Sequence, residues 1–106
     1  MASGILGQSA PSAGVDTLVY TVPADTIAYA NLNVVNRGAA TSTVRIALSA
    51  ATTPLVSEWV EYGAAISANG VLERTGFALQ AGKKVVIHSD TADVSISVYG
   101  VEESTL

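Results

Sequence analysis

Short runs rich in Val, Ile, Thr and Tyr recur along most of this chain, and turn-forming residues separate them. The runs that we interpret as strands are residues 17–22, 27–36, 42–48, 58–62, 71–79, 83–89 and 93–101. Turns at intervals of roughly ten residues are typical of β-sandwiches and barrels. Helical periodicity does not persist anywhere in the chain. Parallel strands need long crossover connections, which are usually helices, so antiparallel pairing is expected. The pattern therefore predicts an all-β fold of antiparallel strands.

Two of these runs alternate between apolar and polar side chains, as half-buried strands do. In residues 42–48, Val44, Ile46 and Leu48 share one face, while Arg45 and Ala47 lie on the other. Residues 93–101 repeat the pattern, which predicts one face against a core and one face in water. We expect an antiparallel β-sandwich, of jelly-roll or immunoglobulin-like type, with seven to eight strands. A small closed barrel is the nearest alternative.

The first sixteen residues, MASGILGQSAPSAGVD, consist mainly of Gly, Ala and Ser. Ile5 and Leu6 are the only large apolar pair before Val15. Segments of this composition usually lie outside a packed core. We therefore predict an extended N-terminal arm over residues 1–16 and a β-sandwich domain over residues 17–106. Ile5 and Leu6 are the residues of this arm that we expect to contact a partner.

The composition is apolar for a chain of 106 residues, with 49% hydrophobic and only 13% charged residues. A domain of this size buries about 60–65% of its unfolded surface, so some apolar side chains should remain outside the core and form a partner surface. The formal net charge is −4 with scattered basic residues, which disfavours nucleic acid as a partner. Neither a bilayer-spanning apolar run nor a signal peptide is recognisable, so we expect no membrane association.

Few residues suggest catalysis or metal binding. The single histidine, His88, precedes Asp90 by two positions, yet no serine lies in a nucleophile-elbow motif. Acidic residues occur in three close pairs: Glu58 with Glu61, Asp90 with Asp93, and Glu102 with Glu103. Each pair has a simpler explanation than glycoside hydrolysis or calcium binding. The first pair lies on opposite faces of a strand, the second caps a turn, and the third lies in the C-terminal tail. Cysteine and phosphate-binding loops are absent, so we predict a non-enzymatic protein without metal or cofactor.

Trp59 and Tyr62 are the best candidates for an exposed aromatic site. A carbohydrate-binding sandwich presents such rings as a stacking platform, and the same residue types are enriched at protein interfaces. Residues three apart on a regular strand face opposite sides, so a shared platform requires a bulge or a loop. The simpler interpretation is that one ring packs inward and the other lines a subunit contact.

The segments LVYTVPAD, NLNVVNRGAATSTVRIALS, ANGVLERTGFALQAGKKVVIHS and VSISVYGVEE resemble those of small virion structural proteins in tailed bacteriophages. The resemblance covers most of the chain and marks strands and turns. It implies a capsid decoration or cement protein that binds the capsid lattice through its N-terminal arm and one face of the sandwich. In this interpretation, Ile5 and Leu6 insert into apolar grooves of the shell or of a neighbouring copy. The tail or its fibres are the alternative location. The resemblance further implies the major capsid protein or other virion proteins as partners.

Two expectations remain beside this resemblance. Small apolar sandwiches often assemble in closed cyclic sets, so we expect a homo-oligomer and favour a trimer. A carbohydrate-binding attachment module is the alternative function. An exposed aromatic surface at Trp59 and Tyr62 would favour that module.

Overall fold

The structure is a computed structural model and describes residues 2–106. It contains the strands β1 (Ser3–Ser9), β2 (Thr17–Thr21), β3 (Thr26–Asn36), β4 (Ser42–Ser49), β5 (Trp59–Ile66), β6 (Val71–Leu79), β7 (Lys84–Ser89) and β8 (Val94–Ser104). A short 3₁₀ turn, Val56–Glu58, lies between β4 and β5. Within residues 2–106, no helix is long and apolar enough to cross a membrane.

The strands form two four-stranded sheets that are antiparallel throughout. Sheet A has the order β1-β8-β3-β6 and sheet B the order β2-β7-β4-β5. Strands β1 to β4 alternate between sheet A and sheet B, and strands β5 to β8 then pair with them in the two sheets. This strand order is the double Greek key of a jelly roll. The predicted antiparallel β-sandwich is confirmed, and the strand order selects the jelly roll from the two types expected.

An almost entirely aliphatic core fills the space between the sheets. In β3, every second side chain from Thr26 to Asn36 is buried, because strand residues alternate between faces. Leu32, Ile46 and Ile87 are among the largest fully buried side chains. Burial of each such side chain contributes roughly 1.5–3 kcal/mol relative to exposure in water. The alternation seen in the sequence therefore accounts for most of the core.

The N-terminal segment belongs to the sandwich. Ser3–Ser9 forms β1, which pairs with β8 at the edge of sheet A. The prediction of an arm over residues 1–16 is wrong for this strand, and residues 10–16 connect it to β2. Gly7 allows close approach, since a Cβ there would clash with the carbonyl oxygen of Val19. Met1, the first residue of the predicted arm, lies outside the described residues.

Each open side of the sandwich is closed by a polar contact between the sheets. On one side, the hydroxyl of Tyr20 on β2 donates a hydrogen bond of 2.5 Å to Glu102 on β8. On the other side, Arg74 on β6 forms an ion pair with Glu61 on β5. The hydrogen bonds from Tyr20 and from the Ala2 amide hold the pKa of Glu102 below its ordinary value. Burial, followed by the contact with Glu102, raises the pKa of Tyr20.

Candidate binding surface

A bulge in β5 places Trp59 and Tyr62 on the same face of sheet B. Tyr62 pairs with Arg45 and Trp59 pairs with Ala47, whereas Val60 is skipped in the register. Arg45 and Ala47 are two residues apart on β4, so both point away from the core. Their partners on β5 therefore point outward as well. A shared aromatic platform on this strand requires such a bulge, because residues three apart on a regular strand face opposite sides.

An apolar row of side chains crosses the outer face of sheet B. Register joins Leu18 of β2, Val86 of β7, Ala47 of β4 and Trp59 of β5. Ala47 and Val86 are fully buried although they face away from the core. Larger side chains on the same face must therefore cover them. The expectation that this face of β4 lies in water is wrong for Ala47, because neighbouring strands build a second apolar layer there.

The next row on this face is polar and aromatic. Register joins His88 of β7, Arg45 of β4 and Tyr62 of β5. The Nδ1 atom of His88 lies 3.0 Å from the Oδ1 atom of Asp16. The guanidinium carbon of Arg45 lies 4.4 Å from the centroid of the Tyr62 ring, a cation–π contact. The row thus presents a positive charge beside an aromatic ring.

Val56, Trp59 and Tyr62 line an open depression of about 300 Å³. The rings of Trp59 and Tyr62 meet edge to face, with centroids 5.6 Å apart and an interplanar angle of 70°. Tyr62 is 65% exposed and Val56 is 93% exposed. Contiguous apolar exposure of this kind marks interaction sites on soluble domains. Arg45, Val56, Trp59 and Tyr62 are called the aromatic surface below.

Glu58 fixes the turn that carries Val56. Its carboxylate accepts hydrogen bonds from the backbone amides of Leu55, at 2.8 Å, and Ala50, at 3.1 Å. The Ser49 hydroxyl donates to the same carboxylate at 3.0 Å. The two backbone amides are the main reason that the pKa of Glu58 lies below its ordinary value. One wall of the depression is therefore ordered before any partner binds.

Ile5 and Leu6 do not act as a pair. Ile5 is exposed on the outer face of sheet A, where it lies opposite Tyr99 in the register. Leu6 lies at a bulge in β1 and packs against the core. The prediction that Leu6 inserts into a neighbour is wrong, since the sandwich already buries it in part. Ile5 remains exposed, but on the face opposite the aromatic surface.

His88 and Asp90 do not form a common site. His88 contacts Asp16, whereas Asp90 accepts a hydrogen bond of 2.7 Å from the backbone amide of Thr43. Asp90 therefore holds the end of β7 against β4. Within the part of the chain that the structure describes, no group of three or more His, Asp or Glu side chains is placed to hold a metal ion.

Neither Arg45 nor Val56 was predicted from the sequence as a binding residue. A signal for Val56 exists, since Leu55 and Val56 are large apolar residues that directly follow the proline of a polar loop. No comparable signal marks Arg45. Its position beside Tyr62 depends on the pairing of β4 with β5.

Comparisons of the chain with protein-family models, with curated proteins and with solved structures found no match.

Proposed function

We propose that this protein is a non-enzymatic virion structural protein that decorates or cements a bacteriophage capsid. It would dock on the capsid lattice through the aromatic surface, with the major capsid protein or another virion protein as its partner. Such a role needs a folded module with an exposed, preordered contact patch and no chemistry of its own. The resemblance to virion proteins supports the location, and the aromatic surface supports the mode of attachment.

The exposed apolar side chains around the 3₁₀ turn carry this proposal. Leu55 is 66% exposed and precedes Val56, which borders Trp59 and Tyr62 in the depression. Aromatic residues in such patches are the usual anchors of protein interfaces. Because Glu58 already orders the turn, binding loses little conformational entropy there. The patch is therefore suited to a stable contact with a rigid lattice.

The jelly roll is compatible with this role but does not assign it. Capsid domains and lectins both use eight-stranded jelly rolls. A fold of this kind hosts many functions, so the function depends on the surface that the strands build. A position on the tail or its fibres would use the same docking patch and differs only in the partner.

A carbohydrate-binding attachment module is the second candidate, and the bulge at Val60 favours it by placing Trp59 and Tyr62 on one face. A sugar site also needs polar groups that fix the orientation of the ligand. Among residues 2–106, those that line the depression include no carboxylate and no carboxamide, and one wall is the aliphatic Val56. The lining therefore suits an apolar protein side chain better than a sugar.

A reconstitution assay tests the proposal. Capsids lacking the protein are incubated with the purified chain, and the bound fraction is measured after sedimentation. The double variant Val56→Glu/Tyr62→Glu is expected to lose binding, because two carboxylates then occupy the contact patch. The matched control Val71→Glu/Leu106→Glu changes two other exposed apolar residues and the charge by the same amount.

The control variant is expected to bind like the wild type. Wild-type binding by a folded Val56→Glu/Tyr62→Glu variant would contradict the proposal. Binding to isolated tails instead of capsids would transfer the role to the tail. Specific retention on a glycan array, abolished by the same double variant, would favour the attachment module.

A further inference from the structure

We infer that the aromatic surface recognises a protein segment in which an aliphatic side chain lies next to a carboxylate. This inference rests on the proposed function and adds the chemistry of the partner. It combines two features of the surface. One is the apolar depression, and the other is the cationic group at its margin.

The depression supplies the apolar part of the site. Val56, Trp59 and Tyr62 line it, and the edge-to-face arrangement of the two rings leaves the Tyr62 side chain largely exposed. A side chain that enters the depression displaces water from apolar surface on both partners. Leu55 and Val56 protrude beside it on the turn that Glu58 holds. An aliphatic residue of a partner is the group that best covers these protruding side chains.

Arg45 supplies the cationic part. The guanidinium group lies over the Tyr62 ring, 4.4 Å from its centroid, and therefore borders the depression. Within residues 2–106, ion pairs join Arg74 to Glu61 and Lys83 to Glu58, and His88 contacts Asp16. Arg45 thus has no carboxylate within 4.0 Å in the described part of the chain. The planar fork of an arginine matches a carboxylate with two parallel hydrogen bonds.

Two cations on the outer face of sheet B, Arg45 and Lys84, favour an acidic partner at this surface. The chain carries a formal net charge of −4, which opposes the approach of acidic molecules in general. On the outer face of sheet B, Lys84 lies on the same side as Arg45, and the Asp16 carboxylate contacts His88. Two cations on this face therefore lack carboxylate partners among the described residues. Charge complementarity contributes mainly to specificity. A carboxylate of the partner next to Arg45 would therefore distinguish this partner from other proteins.

An acidic sugar would also satisfy Arg45, but it would leave the aliphatic turn uncovered. Val56 is almost fully exposed and Leu55 is largely exposed. Burial of these side chains is favourable when they pack against another apolar surface. A protein segment offers both an aliphatic side chain and a carboxylate within a short length. The observations therefore favour a protein over a glycan.

Selection from a random-peptide library displayed on yeast tests this inference on the intact protein. Immobilised wild-type protein is expected to enrich peptides in which Leu, Ile or Val lies within two residues of Asp or Glu. The best peptide is then synthesised, together with a version carrying Gln or Asn at the acidic position. The Arg45→Gln variant is expected to bind the acidic peptide roughly tenfold more weakly and to lose the preference for acid over amide.

Arg37→Gln is the matched control, because it removes the same charge from the turn after β3, where Arg37 binds Ser95 of sheet A. It is expected to bind like the wild type. Absence of enrichment, enrichment without an acidic residue, or unchanged binding by Arg45→Gln would overturn the inference. Tighter binding of glucuronic acid than of the selected peptide, lost in Arg45→Gln, would assign the site to an acidic sugar and overturn it too.

The reconstitution assay separates failure of this inference from failure of the proposed function. Normal capsid binding by Arg45→Gln, with binding lost in Val56→Glu/Tyr62→Glu, contradicts only the acidic partner. Normal binding by both variants contradicts the docking function itself.

Discussion

Tyr20 on β2 and Glu102 on β8 join the two sheets through a hydrogen bond of 2.5 Å. The contact closes the side of the sandwich where the edge strands β1 and β2 meet. Tyr20 is buried, so its hydroxyl has little access to water as an alternative partner. The Tyr20→Phe variant keeps the ring and removes only the donor. We expect it to lower the free energy of unfolding by about 1 kcal/mol in urea titrations.

The same pair predicts a loss of stability at high pH. The folded-state pKa of Tyr20 is raised, so the folded chain retains a proton that the unfolded chain releases above its ordinary pKa of about 10. The stabilisation is complete below that pH and declines as the pH rises above it. Urea titrations of the wild type between about pH 9 and pH 11 should show this decline, and Tyr20→Phe should show a smaller one. Identical slopes for both proteins would contradict the assignment.

Glu58 predicts an acid-sensitive turn next to Trp59. The folded-state pKa of Glu58 is lowered from its ordinary 4.5, so its stabilisation is present above that value and declines as the pH falls through the folded-state pKa. Trp59 is the single tryptophan and follows Glu58 directly, so its fluorescence reports on the turn. We expect the emission of the wild type to change with acid below about pH 4.5. The Glu58→Gln variant should lack this transition, and an unchanged acid response would contradict the role of the carboxylate.

Asn36 predicts the cost of losing a buried polar anchor. Its fully buried amide donates to the carbonyl oxygens of Ala40, at 2.8 Å, and Ile66, at 2.9 Å, and its Oδ1 accepts the Gly38 amide at 2.9 Å. Asn36→Ala removes all three hydrogen bonds and should lower the free energy of unfolding by about 2–3 kcal/mol. Asn33→Ala, on the outer face of the same strand, is the control. A loss of the same size in both variants would contradict the role of the buried network.

The strands and core could be predicted from the sequence, because alternation and turn residues act over a few neighbours. The arm could not, since the same Gly and Ser residues suit either a flexible segment or close packing of β1 against β2 at Gly7. The position of Leu6 against the core follows from a bulge in β1. Bulges depend on the register between strands that are distant in the chain, and local patterns do not specify that register.

The candidate site shows the same limit. Trp59 and Tyr62 could be named from residue type alone, yet their common face depends on the bulge at Val60. Arg45 joins them only through the pairing of β4 with β5. Residue identity therefore pointed to the two aromatic side chains, whereas cross-strand register determined the surface that they form.

The oligomeric state stays a prediction. Ile5, Tyr29 and Val101 are exposed on the outer face of sheet A, which leaves apolar surface available besides the aromatic surface. We expect a trimer in sedimentation-velocity experiments on the purified chain. A monomer at all concentrations tested would contradict this expectation without affecting the docking surface.

A cryo-electron microscopy map of the assembled particle, at a resolution that shows side chains, tests the central claim most directly. The account predicts density for the shell against Val56, Trp59 and Tyr62, with an acidic residue of the shell beside Arg45. A map in which these four side chains face solvent, while another face of the sandwich contacts the particle, would contradict the account.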